Sequence, residues 1–131
     1  MKPTAILEGG LYLRQANHLA NPLEIERARN KAIIISKADE WGIDSNLALK
    51  IVRCESGFDS RAYNSNDPNG GSFGLFQFQK TTFYSGAEKL KIKNPDIWNV
   101  QQQSEVAFYL LSQNKWHLWT CARINGIVGI K

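Results

Sequence analysis

Ile51-Val52-Arg53-Cys54-Glu55-Ser56-Gly57, with Ser72-Phe73-Gly74-Leu75-Phe76-Gln77-Phe78 downstream of it, is the part of the sequence on which the fold turns. The first stretch reads as the last turn of an apolar helix that delivers one carboxylate. It stops at a glycine, the residue that enters the left-handed region most cheaply. The second is an apolar strip studded with hydrogen-bonding groups, and 73–79 reads as a short strand pair. Between them lies a loop rich in Asn, Ser, Asp and Gly, with Asp67-Pro68-Asn69-Gly70-Gly71 a dense turn signal. An acid at a helix end, facing such a strip across a loop, suits the protonation of a sugar oxygen.

Upstream, Asn21-Pro22-Leu23-Glu24 opens a helix: asparagine can cap, proline is tolerated at the first helical position, and glutamate completes a capping-box-like pattern. Leu23, Ala28, Ala32, Ile34, Ile35, Ala38 and Trp41 then recur at helical spacing, and Gly42 ends the run. Asp44 or Ser45 caps the helix that carries Glu55, whose apolar face is Leu47, Ala48, Ile51 and Val52. Downstream, Thr81 is expected to cap a short helix to about residue 89. Asn99, with Gln102 three places on, caps another bearing Val106, Ala107, Leu110 and Leu111. A last helical stretch covers about 115–124, and Asn125-Gly126 turns into a short tail.

Residues 1–20 have weak periodicity, broken by Gly9-Gly10, and read as an extended lead-in. The expectation is therefore one α+β domain over 21–131, mainly α-helical, with a small β element between helices. At 131 residues the chain supports a single core. Its longest apolar run, 32–35, is far short of the roughly 20 residues that span a bilayer.

The net charge of +4 draws the protein modestly toward acidic polymers. Lys and Arg are scattered rather than clustered, however, so no nucleic-acid partner is expected. Residues 1–20 show no apolar segment of a secretory leader, so the export route is not visible. Cys54 and Cys121 are too far apart for a redox or metal motif. Two readings stand: a pair of buried free thiols in a reducing compartment, or a bridge. The bridge is favoured because Cys54 adjoins the acid and would pin its helix. It would close a loop of about 68 residues, for which loss of chain entropy contributes about 4 kcal/mol, and it would require an oxidising compartment.

Breaking a glycosidic bond requires a carboxylic acid that is still protonated near neutrality. Two features would raise the pKa of Glu55. It sits in the last turn of a helix, where the macrodipole is negative, and Ile51, Val52, Phe73, Leu75, Phe76 and Phe78 would desolvate it. Arg53, its chain neighbour, points elsewhere on the helix. A hydrolytic route would need a second carboxylate about 6.5–9.5 Å away. The candidates are Asp59, read here as a partner of nearby loop amides, and Asp67, read as a turn-former.

For substrate binding, Gln77 would hydrogen-bond a sugar hydroxyl or N-acetyl group, with Ser72 and Thr81 as further polar candidates. Ser56 is expected to bond backbone near its helix end. Tyr63, Phe73, Tyr84, Trp98 and Trp116 could stack on sugar faces, although most aromatics in a domain of this size are core. His18 and His117 have no Cys, His or Asp cluster around them. The 64–70 stretch lacks the bidentate Glu of a calcium loop. No metal or cofactor is expected, and no Ser-His-Asp or phosphate-loop pattern is present.

Taken together, Cys54-Glu55-Ser56-Gly57, then Gly74-Leu75-Phe76-Gln77-Phe78, then Thr81-Thr82-Phe83 resemble the catalytic core of the lysozyme-like lytic transglycosylases. The Cys before Glu55, together with Trp116, Trp119 and Cys121, is similar to the resuscitation-promoting factor branch, and the domain as a whole resembles the resuscitation-promoting factor and soluble lytic transglycosylase types. The resemblance covers about residues 43–123. It implies a lysozyme-like fold, a disulfide between the two cysteines, and Glu55 as general acid and then base. It implies peptidoglycan as substrate, cleaved between N-acetylmuramic acid and N-acetylglucosamine to leave a 1,6-anhydro end. It also implies a monomer acting outside the cytoplasm, in the periplasm, the cell wall or the medium. The alternatives are a lysozyme-type hydrolase and a glycan-binding protein without turnover. The tyrosine that contacts the acid in longer transglycosylases has no clear counterpart, Tyr109 being the nearest stand-in.

Overall fold

The computed structural model describes residues 21–127, so the lead-in expected at 1–20 and the tail beyond lie outside the described residues. Helix α1, Pro22–Glu40, starts as the Asn-Pro signal requires: the Asn21 side chain accepts from the Leu23 amide, and proline takes the first turn. Helix α2, Ser45–Ser56, is capped by Asp44, whose carboxylate accepts from Asn46 N at 2.8 Å. It ends at Gly57 with φ 61°, the left-handed cap that its glycine announces. Ser56 bonds back to the Val52 carbonyl.

The β element is smaller than expected and lies earlier in the chain. Strands β1, Tyr63–Asn64, and β2, Ser72–Phe73, pair antiparallel with Tyr63 opposite Phe73 and Asn64 opposite Ser72. The strip expected as a strand pair over 73–79 is instead a tight turn. Phe73 and Phe78 exchange both backbone hydrogen bonds, and the chain reverses through Gly74–Gln77 between them. Gly74 and Gln77 both hold positive φ, which a continuous strand cannot accommodate.

Helix α3, Lys80–Lys89, begins one residue before the expected cap. Gln79 is its N-cap, and Thr81 lies inside the first turn, exposed. Helix α4, Val100–Ser112, is capped as expected, with Asn99 accepting from Gln102 N at 2.9 Å. The last helical stretch is split into a 3-10 turn, Trp116–Leu118, and the short helix α5, Thr120–Ile124. This is a mainly helical α+β, lysozyme-like architecture. Helix α1 packs on α2 and α4, α3 packs on α4, and α2 meets α5.

Ile34, Ala38, Ile51, Val52, Leu75, Phe76, Phe83, Val106, Phe108 and Leu111 fill the core at the junction of these elements. Of the polar side chains buried with them, Gln103 is the largest that is fully buried. Gln103 on α4 donates from Nε2 to the carbonyls of Phe73 and Ile97, both at 2.7 Å, and accepts from Phe76 N at 3.0 Å. Its amide therefore gives Phe76 N the acceptor that the 73–78 turn does not supply, and adds a second donor to the Phe73 carbonyl beside the Phe78 amide. Gly74 is required beside it, because a Cβ there would lie 2.4 Å from Gln103 Nε2 at a φ of +77°.

Gln103→Leu would strand the Ile97 carbonyl and the Phe76 N–H in the core and leave the Phe73 carbonyl with the Phe78 amide alone, and is expected to cost about 3 kcal/mol. Gly74→Ala is expected to cost about 2 kcal/mol through strain and overpacking. Both losses would appear as lower urea midpoints with an unchanged slope; a Gln103→Leu protein as stable as the parent would refute the clamp.

Candidate active site

The C-terminal turn of α2 delivers Glu55 to the wall of a cavity of about 350 Å³. The floor comes from the clamped turn through Gln77, Phe78 and Gln79, and the first turn of α3 adds Thr82. The loop before β2 contributes Asp67, Pro68 and Ser72, and the 3-10 turn and α5 close the rim with Leu118, Trp119 and Thr120. Segments 67–82 and 118–120 thus converge on Glu55.

Glu55 is half-buried, and its carboxyl is held above its ordinary pKa. Burial is the main cause; the Asp67 charge adds to it, while the Cys121 amide and the Arg123 guanidinium oppose it. Cys121 N donates to Glu55 Oε2 at 3.3 Å. Arg123 is itself engaged, donating to the His117 carbonyl at 2.8 Å and to Thr120 Oγ1. Arg53 is turned away and lies over the Phe58 ring, 5.8 Å from its centroid. The desolvating wall is narrower than the sequence suggested. Phe78 and Trp119 line the cavity, whereas Phe73, Leu75 and Phe76 are packed in the core behind it.

Cys54 and Cys121 form the disulfide, with their Cα atoms 5.8 Å apart. The bridge ties the residue before the acid to the residue whose amide bonds it. Trp119 anchors the same segment from the other side, donating from its indole to the Phe76 carbonyl at 2.9 Å and packing edge-on against Phe76 and Phe78.

Of the expected substrate-contacting residues, the cavity holds Gln77 and Ser72. Gln77 nonetheless spends its amide Nε2 on the Ala62 and Gly74 carbonyls at 3.1 and 2.9 Å, and the Ser72 hydroxyl donates to Asp67. The other five lie elsewhere. Phe73 is buried between Tyr63 and Trp98. Tyr63 is exposed on β1, Tyr84 packs edge-on to Phe83 away from the cavity, and Trp116 is half-buried against the core. Thr81 faces solvent; because α3 starts at Lys80, it is Thr82, about 100° further round the helix, that reaches the cavity.

Asp67, one of the two candidate second carboxylates, is the one that the fold brings to the cavity. Its Asp-Pro-Asn-Gly-Gly context reads as a turn, yet the carboxylate faces the Glu55 cavity and accepts from Ser72. The remaining signal was its position five residues ahead of a serine on the strand. Asp59 does bond a loop amide, that of Arg61, at 2.9 Å. Tyr109 packs on Trp41 and does not line the cavity. Among the described residues no group of three or more His, Cys, Asp or Glu gathers to hold a metal, and no helix is long and apolar enough to cross a membrane.

The profile of the family described as Transglycosylase SLT domain matches residues 32–120, about two thirds of the chain. The chain belongs to the SLT transglycosylase domain family. No curated protein and no solved structure gives a significant match. Members of the family generally cleave glycosidic bonds in peptidoglycan, which lies outside the cytoplasm. The matched span ends at Thr120, the first residue of α5, so Cys121 and the rest of that helix fall just beyond it.

A native pKa above the ordinary 4.5 means that the folded state binds the Glu55 proton more tightly than the unfolded one. The stability linked to this group therefore falls as pH rises through that window. Glu55→Gln should be more stable than the parent at pH 7, with the gap closing below pH 4.5; thermal melts across this range would show it, and a gap that widens in acid would contradict the burial of this carboxyl. Reducing the disulfide should lower stability by up to about 4 kcal/mol, which melts with and without reductant would measure.

Proposed function

We propose that the protein is a lytic transglycosylase that cleaves the β-1,4 bond between N-acetylmuramic acid and N-acetylglucosamine, with Glu55 as its single acid and base. The observation that carries this reading is the half-buried Glu55 carboxyl, its pKa raised, at the wall of an open cavity. Burial makes such a group keep its proton to higher pH than an exposed carboxyl, so that it can give the proton to the leaving sugar oxygen. Its Oε2 faces the Cys121 amide, which leaves Oε1 for the transferred proton and stabilises the carboxylate once the proton has gone. That carboxylate then takes the proton of the muramic C6 hydroxyl. The C6 oxygen attacks the anomeric carbon and closes the 1,6-anhydro ring. Because the nucleophile belongs to the substrate and is already tethered, no water-activating base is needed.

In this reading Asp67 is an electrostatic partner. Its negative charge supports the proton on Glu55 and would stabilise the positive charge that develops on the sugar ring. Ser72 orients Asp67, Gln77 holds the turn that forms the floor, and Thr82 is the free hydroxyl offered to substrate. The catalytic unit is the domain over 21–131, acting as a monomer on glycan strands outside the cytoplasm, in a compartment oxidising enough to keep the Cys54–Cys121 bridge.

A second reading has its own observation. Asp67 shares the cavity with Glu55, so it is available to activate water, and the protein would then be a muramidase.

Digestion of purified peptidoglycan followed by mass spectrometry should give muropeptides lighter by one water; reducing ends alone would refute the transglycosylase step. Glu55→Gln should lower turnover by about 10²–10⁴-fold. Asp67→Asn separates the two readings. As an electrostatic partner, its loss should move the alkaline fall of the rate profile to lower pH and leave turnover measurable. As a water-activating base, its loss should abolish hydrolysis.

A further inference from the structure

A second cavity, of about 520 Å³, lies away from Glu55 and shares none of its lining residues. It is lined by Glu26 from α1, by Ser60 and Arg61 from the loop after α2, and by Trp98 ahead of α4. Four features distinguish it from an ordinary surface dip. Glu26 is oriented, because Ser60 Oγ donates to its Oε1 at 2.6 Å and Ser60 is itself buried. Arg61 presents an opposite charge to the same space. Among the described residues no ion pair joins the two, although they line one cavity. Trp98 supplies an apolar wall, is 42% exposed, and is braced edge-on against Phe73, 5.3 Å between centroids.

An oriented anion and an exposed cation that line one space without pairing leave room for a group carrying both charges. An ammonium would reach Glu26, a carboxylate would take the two-pronged hydrogen bonding of the guanidinium, and the carbon chain between them would lie on the indole. A neutral sugar would leave both charges unmatched. The strand β2 relates this cavity to the first: Ser72 lines the Glu55 cavity, and its neighbour Phe73 packs on Trp98. Successive residues of a strand point to opposite faces, so a polymer engaged by Glu55 on one side has its side branches within reach of the other.

We propose that this cavity binds a zwitterionic amino-acid unit of a peptide, the class of group that the stem peptides of peptidoglycan present. The choice of stem peptide as the source rests on the peptidoglycan reading above. The recognition itself is independent of turnover. The site would favour glycan that still bears its peptides and would hold the strand while Glu55 acts.

The test is titration of the whole protein with a synthetic tripeptide, L-alanyl-γ-D-glutamyl-meso-diaminopimelate, followed by calorimetry or amide chemical shifts. The parent protein should bind it, and Arg61→Ala and Glu26→Gln should each weaken binding about tenfold. Glu26→Gln keeps an acceptor for Ser60, so it removes the charge and spares the fold. The same tripeptide with its side-chain amine acetylated should bind the parent as weakly as the native tripeptide binds Glu26→Gln. Failure of the parent to bind, equal binding of the acetylated peptide, or unchanged binding in both variants would each overturn the proposal. Cleavage is not measured in this titration, so a negative result leaves the assignment of Glu55 untouched. A protein that binds the tripeptide yet never cuts glycan would instead overturn the transglycosylase reading alone.

Discussion

The Gln103 amide is the interaction on which the site depends. The turn between Phe73 and Phe78 must present Gln77, Phe78 and Gln79 to the cavity while its own backbone runs through the core. Buried backbone groups without partners cost about 1–3 kcal/mol each, so a turn this tight would not persist unsupported. Gln103 supplies partners for Phe73 and Phe76, and the Trp119 indole supplies one for the Phe76 carbonyl. Gln77 then adopts a φ of +52°, a left-handed conformation that costs a non-glycine residue about 1–2 kcal/mol. Its two bonds to the Ala62 and Gly74 carbonyls offset that strain and fix the floor of the cavity. The floor is therefore held from α4 on one side and from the Trp119 segment on the other.

The same Trp119 segment sets the acid. Helix α5 spans only Thr120–Ile124, far shorter than a helix that is stable alone. Yet Cys121 at its start donates the hydrogen bond to Glu55. A loose α5 would take this donor away and open the rim formed by Trp119 and Thr120. The disulfide and the buried indole tether it at both sides of that amide, which gives the Cys54–Cys121 bridge a role in the geometry of the acid as well as in stability. The acid thus sits between opposing influences. Burial and Asp67 favour its protonated form, while the Cys121 amide and Arg123 favour the charged one. A group that must give up a proton and then take one back needs both forms within reach.

Much of this could be read from the residues because it is local. The caps Asn21, Asp44 and Asn99, the stop at Gly57 and the place of Glu55 in the last turn of α2 depend only on neighbours in the chain. What escaped the sequence is non-local. A glutamine in the middle of α4 looks like any polar helix residue until the turn it clamps is known. The aromatics Phe73, Tyr63 and Tyr84 carry the same stacking chemistry wherever they point, and only the packed fold directs them away from the acid. Thr81 and Thr82 differ by one residue of helix start, a margin below what capping rules resolve. Asp67 is legible as a candidate second carboxylate, but its turn-forming neighbours account for it locally, and only the fold brings it rather than Asp59 to the Glu55 cavity.

The place of Asp67 in the cavity bears on how one fold can serve the two proposed chemistries. In both of the proposed readings Glu55 would supply the proton, and what differs is the nucleophile that approaches the anomeric carbon. The Ser72 hydroxyl bonds Asp67 and fixes its carboxylate against β2, taking up the oxygen on that side. A water-activating base must hold a water on its free oxygen, at the face of the sugar opposite the acid. A carboxylate that only balances charge has no such geometric demand, and it acts equally well when held by a neighbouring hydroxyl. The tether to Ser72 therefore fits an electrostatic partner more closely than a mobile base, and it favours attack by the hydroxyl that the substrate carries with it.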